Sequence, residues 1–354
     1  MSGYTILLPA AGRSSRYPNM RPKWMLSTPD GTLMLRRALD SLEGVARSRV
    51  VVGILREHEE RYAATAGIRR ALGDEVEIVA FDEVTRGPAE TAYEMIRRAK
   101  VEGPVIIKDS DSWFSLPAAP EGSNFVCIAD LRRNPGVTNV AGKSFVSLNE
   151  QGIVVNIWEK SVESNFISVG GYVWNSATQY CDIFDALMRN DRNSEIFISH
   201  LISQAVLDGS VFLGVEVEGL VDAGTLREWT DLQRRMRTFF LDFDGVVVRN
   251  KGQYFPPYWS DPDEPIAENV ESLRRLQAGG AQFVFVTARP EELRAKVEAV
   301  LRDAGLAWHA LVMGCHHGPR VLVNDFAPSN PYPSAEAVNI PRNVGRLSDF
   351  ITGA

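Results

Sequence analysis

Short apolar runs alternate along the chain with segments whose apolar positions recur at helical spacing. The pattern predicts strands at Tyr4–Pro9, Val50–Leu55, Val76–Phe81, Val105–Lys108, Asn124–Ala129, Phe166–Trp174, Val211–Val217 and Leu220–Val221. Helices are expected at Leu33–Leu42 and Glu195–Asp208, and Val137–Ile157 reads as an irregular antiparallel excursion. After a charged helix, Leu226–Arg237, the alternation starts again: a strand over Thr238–Val248, a helix over Ile266–Ala278, a strand over Phe283–Thr287, a helix over Glu291–Ala304 and a strand over Val321–Asn324. Strands alternating with helices imply α/β architecture with parallel pairing. The break near Met236 implies two domains, 1–236 and 237–354. Gln253–Pro265, rich in proline and aromatics, reads as a loop beside a site.

Composition narrows this picture. With 354 residues, 45% hydrophobic and 23% charged, the chain can bury two cores without disulfides. A net charge of −7 argues against nucleic acid or an anionic membrane as principal partner, since both call for a basic surface. Cys127, Cys181 and Cys315 are scattered, without zinc or disulfide spacing, which points to a reducing cytoplasm. His316 and His317 beside Cys315 lack the spacing of a closed zinc site. The opening MSGYTILLPAAG has no basic n-region, and its apolar run is too short for a signal or membrane helix.

Chemistry concentrates in two places. In the first half, LLPAAGRSSRYPNMRPKWML (Leu7–Leu26) ends a strand in a small-residue turn at Gly12, followed by Arg13, Arg16 and Lys23. Small residues let backbone N–H groups approach a polyphosphate, and cations neutralise it. The spacing is neither a Walker A loop nor GxGxxG. This stretch resembles the nucleotide-binding signature of the sugar-phosphate nucleotidyltransferase family, and further resemblances follow in order. TRGPAET (Thr85–Thr91) resembles the base-recognition loop, implicating Gly87 and Thr91. VIIKDSDSWF resembles the strand ending in a metal-binding aspartate, here Asp111, with Asp109 as the lesser candidate. WEK resembles the pair contacting the acceptor, Glu159 for hydroxyls and Lys160 for phosphate. ISVGGYVW, with Gly171, resembles the acceptor-pocket strand, and VDAGTLREW the source of the second metal carboxylate, Asp222. The resemblance implies a Rossmann-like mixed sheet, Mg²⁺ on Asp111 and Asp222, and Lys23, Arg13 and Arg16 on the phosphates of an NTP. The turn Gly12-Arg13-Ser14-Ser15 departs from the common Gly-x-Gly.

In the second half, DFDGVV (Asp242–Val247) puts two acids at a strand end, where a pleat aims both the same way. Burying both is costly without a cation. The motif resembles the DxD of the haloacid-dehalogenase (HAD) superfamily. FVFVTAR resembles that superfamily's phosphate-binding strand, here with Thr287, and VLVNDF (Val321–Phe326) its last metal acid, here Asp325. The resemblance implies a capless Rossmann-like parallel sheet, Asp242 as nucleophile, Asp244 as general acid and base, and Mg²⁺ on Asp242, Asp325 and the Asp244 carbonyl. The usual lysine is missing; Arg320 is the preferred substitute, and Lys296 reads as a solvated helix charge. The span between Asp244, Thr287 and Asp325 leaves no room for a cap, so the site should be open or covered by the Gln253–Pro265 loop or a neighbouring subunit of a homo-oligomer.

The combined expectation is a bifunctional enzyme of nucleotide-sugar biosynthesis. It would transfer a nucleotidyl group from an NTP to a sugar phosphate, releasing pyrophosphate, and hydrolyse a phosphomonoester through an aspartyl-phosphate. The alternative is a nucleotidyltransferase for a sugar, phosphocholine-like or phosphonate acceptor, carrying a non-catalytic HAD-like interaction or oligomerisation module.

Overall fold

The structure, a computed structural model, describes residues 3–116, 120, 122–190, 195–325 and 334–351. The chain parts into two compact units, Met1–Trp229 and Thr230–Ala354. The divide falls a few residues before Met236, within the helix Leu226–Arg235.

The strands of the first unit are β1 (Tyr4–Ala10), β2 (Arg47–Leu55), β3 (Glu77–Phe81), β4 (Val105–Lys108), β5 (Ser112–Ser115), β6 (Asn124–Asp130), β7 (Ser144–Leu148), β8 (Val154–Glu159), β9 (Phe166–Trp174), β10 (Phe212–Glu216) and β11 (Glu218–Asp222). Among the described residues, nine strands form one sheet with the path β10-β6-β9-β4-β1-β2-β3, while β7 joins β8 to β9. The β1, β2, β3 and β4 pairs are parallel, and β9 runs antiparallel to both β4 and β6. The sheet is therefore mixed, whereas the alternating pattern alone implied parallel pairing.

The pleat explains the two cores. Leu7 of β1 points into one apolar layer, with Met95, Tyr180, Phe184 and Leu201 from the helices Pro88–Arg98, Ala177–Asn190 and Ile198–Leu207. Its neighbours Ile6 and Leu8 point into the other, with Leu35, Leu39 and Ile68. A strand buried on both faces must be apolar at every position, which is why β1 reads as a continuous run. Each such side chain contributes about 1.5–3 kcal/mol by leaving water. The helix Pro88–Arg98 falls partly in a segment read as a loop. Pro88 opens it at a position where the missing N–H costs nothing.

The second unit holds β12 (Thr238–Asp242), β13 (Gln282–Val286) and β14 (Ala310–Val312), paired in parallel in that order. Helices Ala267–Ala278 and Arg294–Asp303 pack Val270, Leu273, Val297 and Leu301 against Leu241, Phe283 and Phe285. The expected strand at Val321–Asn324 does not form: Val321 and Val323 are 82% and 88% exposed. A β-branched run becomes a strand only where a neighbour supplies a ladder. Here the contacts are local, from Asn324 Nδ2 to the Ser334 carbonyl at 2.9 Å and from the Ser334 hydroxyl to the Asp325 carbonyl. Phe326, the end of the VLVNDF motif, lies outside the described residues. Between Asp244 and Thr287 the chain forms the loop, the helix Ala267–Ala278 and β13, so no cap domain is inserted there. Among the described residues no helix is long and apolar enough to cross a membrane.

Candidate functional site

In the first unit, strand ends and loops enclose a cavity of about 870 Å³. One wall is the loop after β1, with Gly12, Arg13 and Arg16. Ser14 takes a left-handed conformation (φ 52°), and its Oγ accepts the Lys23 backbone N–H at 3.0 Å, folding Lys23 back toward the cavity. Arg13 stays on the rim, 3.8 Å from Glu57. The Tyr17 hydroxyl bonds the Ala223 carbonyl and lies 3.1 Å from that of Thr225, tying this loop to the segment after β11.

The two candidate metal carboxylates come together through a strand ribbon. The motif VIIKDSDSWF spans the expected strand β4 and a further strand, β5, with Asp109–Asp111 in the turn between them. β5 then pairs antiparallel with β11, Ser112 opposite Asp222. The Ala223 N–H also donates to the Asp111 carbonyl at 2.9 Å. Asp111 Oδ2 and Asp222 Oδ1 consequently lie 3.3 and 3.2 Å from one point, the place where a Cβ on Gly224 would stand. Lys23 pairs with Asp111 and Lys143 with Asp222. Burial alone would lift the Asp111 carboxyl, but Lys23, Lys143 and Arg16 hold it below the usual carboxylate range. For Lys143 burial acts downward, yet Asp222 and Asp111 raise it. Two carboxylates converging on an open cavity are a donor set suited to Mg²⁺, which takes one or two carboxylates and fills the rest of its shell with water and phosphate.

Beneath the turn, Lys108 is fully buried. Its ammonium donates to the Asp109 carbonyl (2.8 Å), the Ser112 carbonyl (2.7 Å) and Ser112 Oγ (2.9 Å), and burial pulls its pKa down to about 8. The Asp109 N–H donates to the Gly170 carbonyl at 2.8 Å, and burial together with Asp111 raises its carboxyl. Gly170 lies at φ 78°, and a Cβ there would sit 2.5 Å from Asp109 Oδ2. It is Gly170 that lines the cavity. The expected Gly171 instead faces the core, where a Cβ would meet Cys127 Sγ at 2.8 Å.

At the end of β8, Glu159 accepts hydroxyl bonds from Ser144 (2.5 Å) and Ser199 (2.7 Å). Lys160 follows in a left-handed turn (φ 56°), with its ammonium 4.2 Å from the Phe197 ring centroid and 4.0 Å from Glu195. Gly87 and Thr91 also line the cavity, but Thr91 sits on the helix Pro88–Arg98, its hydroxyl 2.6 Å from that of Thr85. The cavity thus gathers Gly12, Arg13, Arg16, Lys23, Gly87, Thr91, Asp111, Glu159, Lys160 and Asp222. Sequence reasoning missed Lys143, Ser144 and Ser199. No spacing marks them, because register between β7 and β8 and the packing of a distant helix bring them in.

The second unit presents a different arrangement. Asp242 ends β12, and its side chain is 40% exposed, with Arg320 at 3.3 Å. Burial and Asp244 raise its carboxyl, while Arg320 acts the other way. Thr287 is fully buried: its hydroxyl donates to Asp244 Oδ2 at 3.1 Å and accepts the Arg289 N–H, so it does not face an open phosphate pocket. Arg289, also fully buried, grips Asp244 through Nε (3.0 Å) and Nη2 (2.7 Å) and Asp263 through both Nη atoms (2.9 and 2.7 Å). Lys296 is not a solvated charge: it donates to the Trp259 carbonyl at 2.6 Å and lies 3.7 Å from Asp263. Asp325 does not join Asp242 and Asp244, because no strand carries it to the sheet edge. Among the described residues no three His, Cys, Asp or Glu side chains gather for a metal, so Asp242, Asp244 and Asp325 do not form a three-carboxylate site.

Arg289 carries one prediction. Arg289→Met leaves Asp244 and Asp263 without their principal cation, and breaking one side of a buried ion pair costs about 3–5 kcal/mol. Denaturant unfolding should show the loss in the second unit; an unchanged midpoint would mean that Lys251 and Lys296, 3.8 and 3.7 Å from Asp263, suffice.

No protein-family model and no curated protein matches the sequence. Solved structures share its fold. A nucleoside-diphosphate-sugar pyrophosphorylase from Vibrio cholerae RC9 is 18% identical with a TM-score of 0.56, spanning 65% of this chain and 99% of that one. The inositol-1-phosphate CTP transferase of T. maritima is 14% identical with a TM-score of 0.54, spanning 66% and 97%. A UDP-glucose pyrophosphorylase complexed with UDP-glucose is 14% identical with a TM-score of 0.51, also spanning 66% and 97%. The shared portion is about as long as the first unit, which therefore has a nucleotidyltransferase fold. The fold is what this likeness establishes, and it does not bear on the second unit.

Proposed function

We propose that the first unit transfers a nucleotidyl group from an NTP to a sugar phosphate. An acceptor phosphate oxygen attacks the α-phosphorus, the bond to the β-phosphate breaks, and pyrophosphate leaves with the electron pair. The acceptor is already an anion, so no protein nucleophile is needed; positioning and charge neutralisation do the work. The observation that carries this reading is the convergence of Asp111 and Asp222 beside Lys23 in a cavity otherwise lined by hydroxyl and cationic groups. Lys23, Arg13 and Arg16 would hold the triphosphate, Gly87 and Thr91 border the base, and Glu159 and Lys160 meet the acceptor. Mg²⁺ on Asp111 and Asp222 would neutralise charge developing on the phosphates. The test is a matrix of NTPs against sugar 1-phosphates, phosphocholine and phosphonates, read by pyrophosphate release; no release from any pair would sink the reading.

For the second unit we propose phosphomonoester hydrolysis at Asp242. Its oxygen would bond phosphorus as the ester oxygen leaves, and water would then release phosphate. The exposed strand-end carboxylate facing Arg320 supports this role. A second reading, a non-catalytic interaction module, is favoured by the position of Asp325 and by the engagement of both Asp244 oxygens with Arg289. Phosphate release from p-nitrophenyl phosphate by the full chain separates the two.

A further inference from the structure

The cavity contains a part-buried cation, Lys143, that neither the motifs nor the proposed reaction assigns. Lys143 precedes β7, and its side chain is 20% exposed while that of its partner Asp222 is 7% exposed. Its backbone carbonyl accepts the Lys160 N–H at 3.0 Å, and the next residue, Ser144, holds Glu159. Lys143 therefore stands where the carboxylate pair adjoins the Glu159–Lys160 wall. Lys160 itself is half exposed and engaged by Phe197 and Glu195.

Charge balance decides what Lys143 can do. Asp111 and Asp222 carry two negative charges, and Lys23 and Lys143 already neutralise them. A divalent cation at the point faced by Asp111 Oδ2 and Asp222 Oδ1 competes with the Lys23 ammonium on Asp111 Oδ2 and is repelled by the Lys143 ammonium on Asp222 Oδ2, and its entry leaves this part-buried pair with a surplus of two positive charges. Phosphate anions arriving with the metal relieve that surplus.

We propose that Lys143 is a phosphate-binding residue that the metal releases: it caps Asp222 until a divalent cation takes that carboxylate, and the freed ammonium then binds the acceptor phosphate. Metal binding and phosphate binding are thereby coupled through one side chain. The inference rests on the nucleotidyl-transfer reading of the cavity, yet its first test requires no turnover.

The full chain is titrated calorimetrically with Mn²⁺ alone. Lys143→Gln removes the competing ammonium and should tighten Mn²⁺ binding about tenfold, whereas Lys143→Arg keeps a cation and should stay near wild type. Inorganic phosphate titrated into the Mn²⁺-loaded protein should then bind Lys143→Gln about tenfold more weakly than wild type, with Lys143→Arg intermediate. A lysine that merely supported the fold would loosen both ligands together. Unchanged or weaker Mn²⁺ binding by folded Lys143→Gln overturns the competition, and unchanged phosphate binding overturns the handover. Should no NTP and acceptor pair release pyrophosphate, the functional reading falls, while the order of the Mn²⁺ affinities still decides the role of Lys143.

Discussion

Asp111→Asn and Asp222→Asn should each lower pyrophosphate release by about three orders of magnitude while leaving the protein folded, the scale on which a preorganised charge acts in a transition state. The amide keeps the size of the carboxylate and removes its charge. In Asp111→Asn the cation site loses one of two ionised ligands and Lys23 loses its partner. Both carboxylates adjoin a single point beside Gly224, so neither can stand in for the other. The loss should appear in kcat rather than in the KM for the acceptor, because the charge being stabilised develops on the transferring phosphates. Steady-state kinetics at saturating Mg²⁺, with thermal unfolding to confirm folding, measures this. Near wild-type turnover in both variants would remove the metal assignment.

Much of the first unit is legible in the sequence because its central strands are buried on both faces. Val105–Lys108 and Phe166–Trp174 match their expected bounds residue for residue. The carboxylates Asp111 and Asp222 could be named because VIIKDSDSWF and VDAGTLREW resemble a known family's metal-binding segments. The partners met only in the fold could not be: Lys143 reaches Asp222 from the segment before β7, and Ser199 meets Glu159 from a helix elsewhere in the chain. Such contacts depend on register and packing, which local pattern does not encode. In the second unit the same logic misleads. Val321–Asn324 has strand composition, but β-propensity describes fit to a pleated neighbour, and among the described residues none pairs with it. Arg289 is the converse case. It closes the motif FVFVTAR, which points only to Thr287, yet it is fully buried because Asp244 and Asp263 satisfy its guanidinium from two sides.

The two proposed activities should separate by single substitutions, since every residue of each site belongs to one unit. Asp242→Asn replaces a carboxylate by a neutral amide of the same size. The amide cannot form an aspartyl-phosphate, so phosphate release from a phosphomonoester should fall to background. Folding should be little affected, because Asp242 is partly exposed and its ion pair with Arg320 is a surface pair. Pyrophosphate release should stay at the wild-type rate. Lys23→Ala should do the opposite: it removes a cation from the triphosphate and leaves Asp242 untouched, so nucleotidyl transfer should drop by about 10²-fold or more with phosphatase turnover unchanged. The double variant should show the two losses side by side, as expected of sites that share no partner. Paired assays on the full chain, one for pyrophosphate and one for phosphate, read all three variants. Wild-type protein that releases pyrophosphate but no phosphate would assign the second unit to the non-catalytic reading. Loss of nucleotidyl transfer in folded Asp242→Asn would mean instead that the two units are energetically coupled, and the helix Leu226–Arg235, which runs through the divide between them, is where that coupling should be sought.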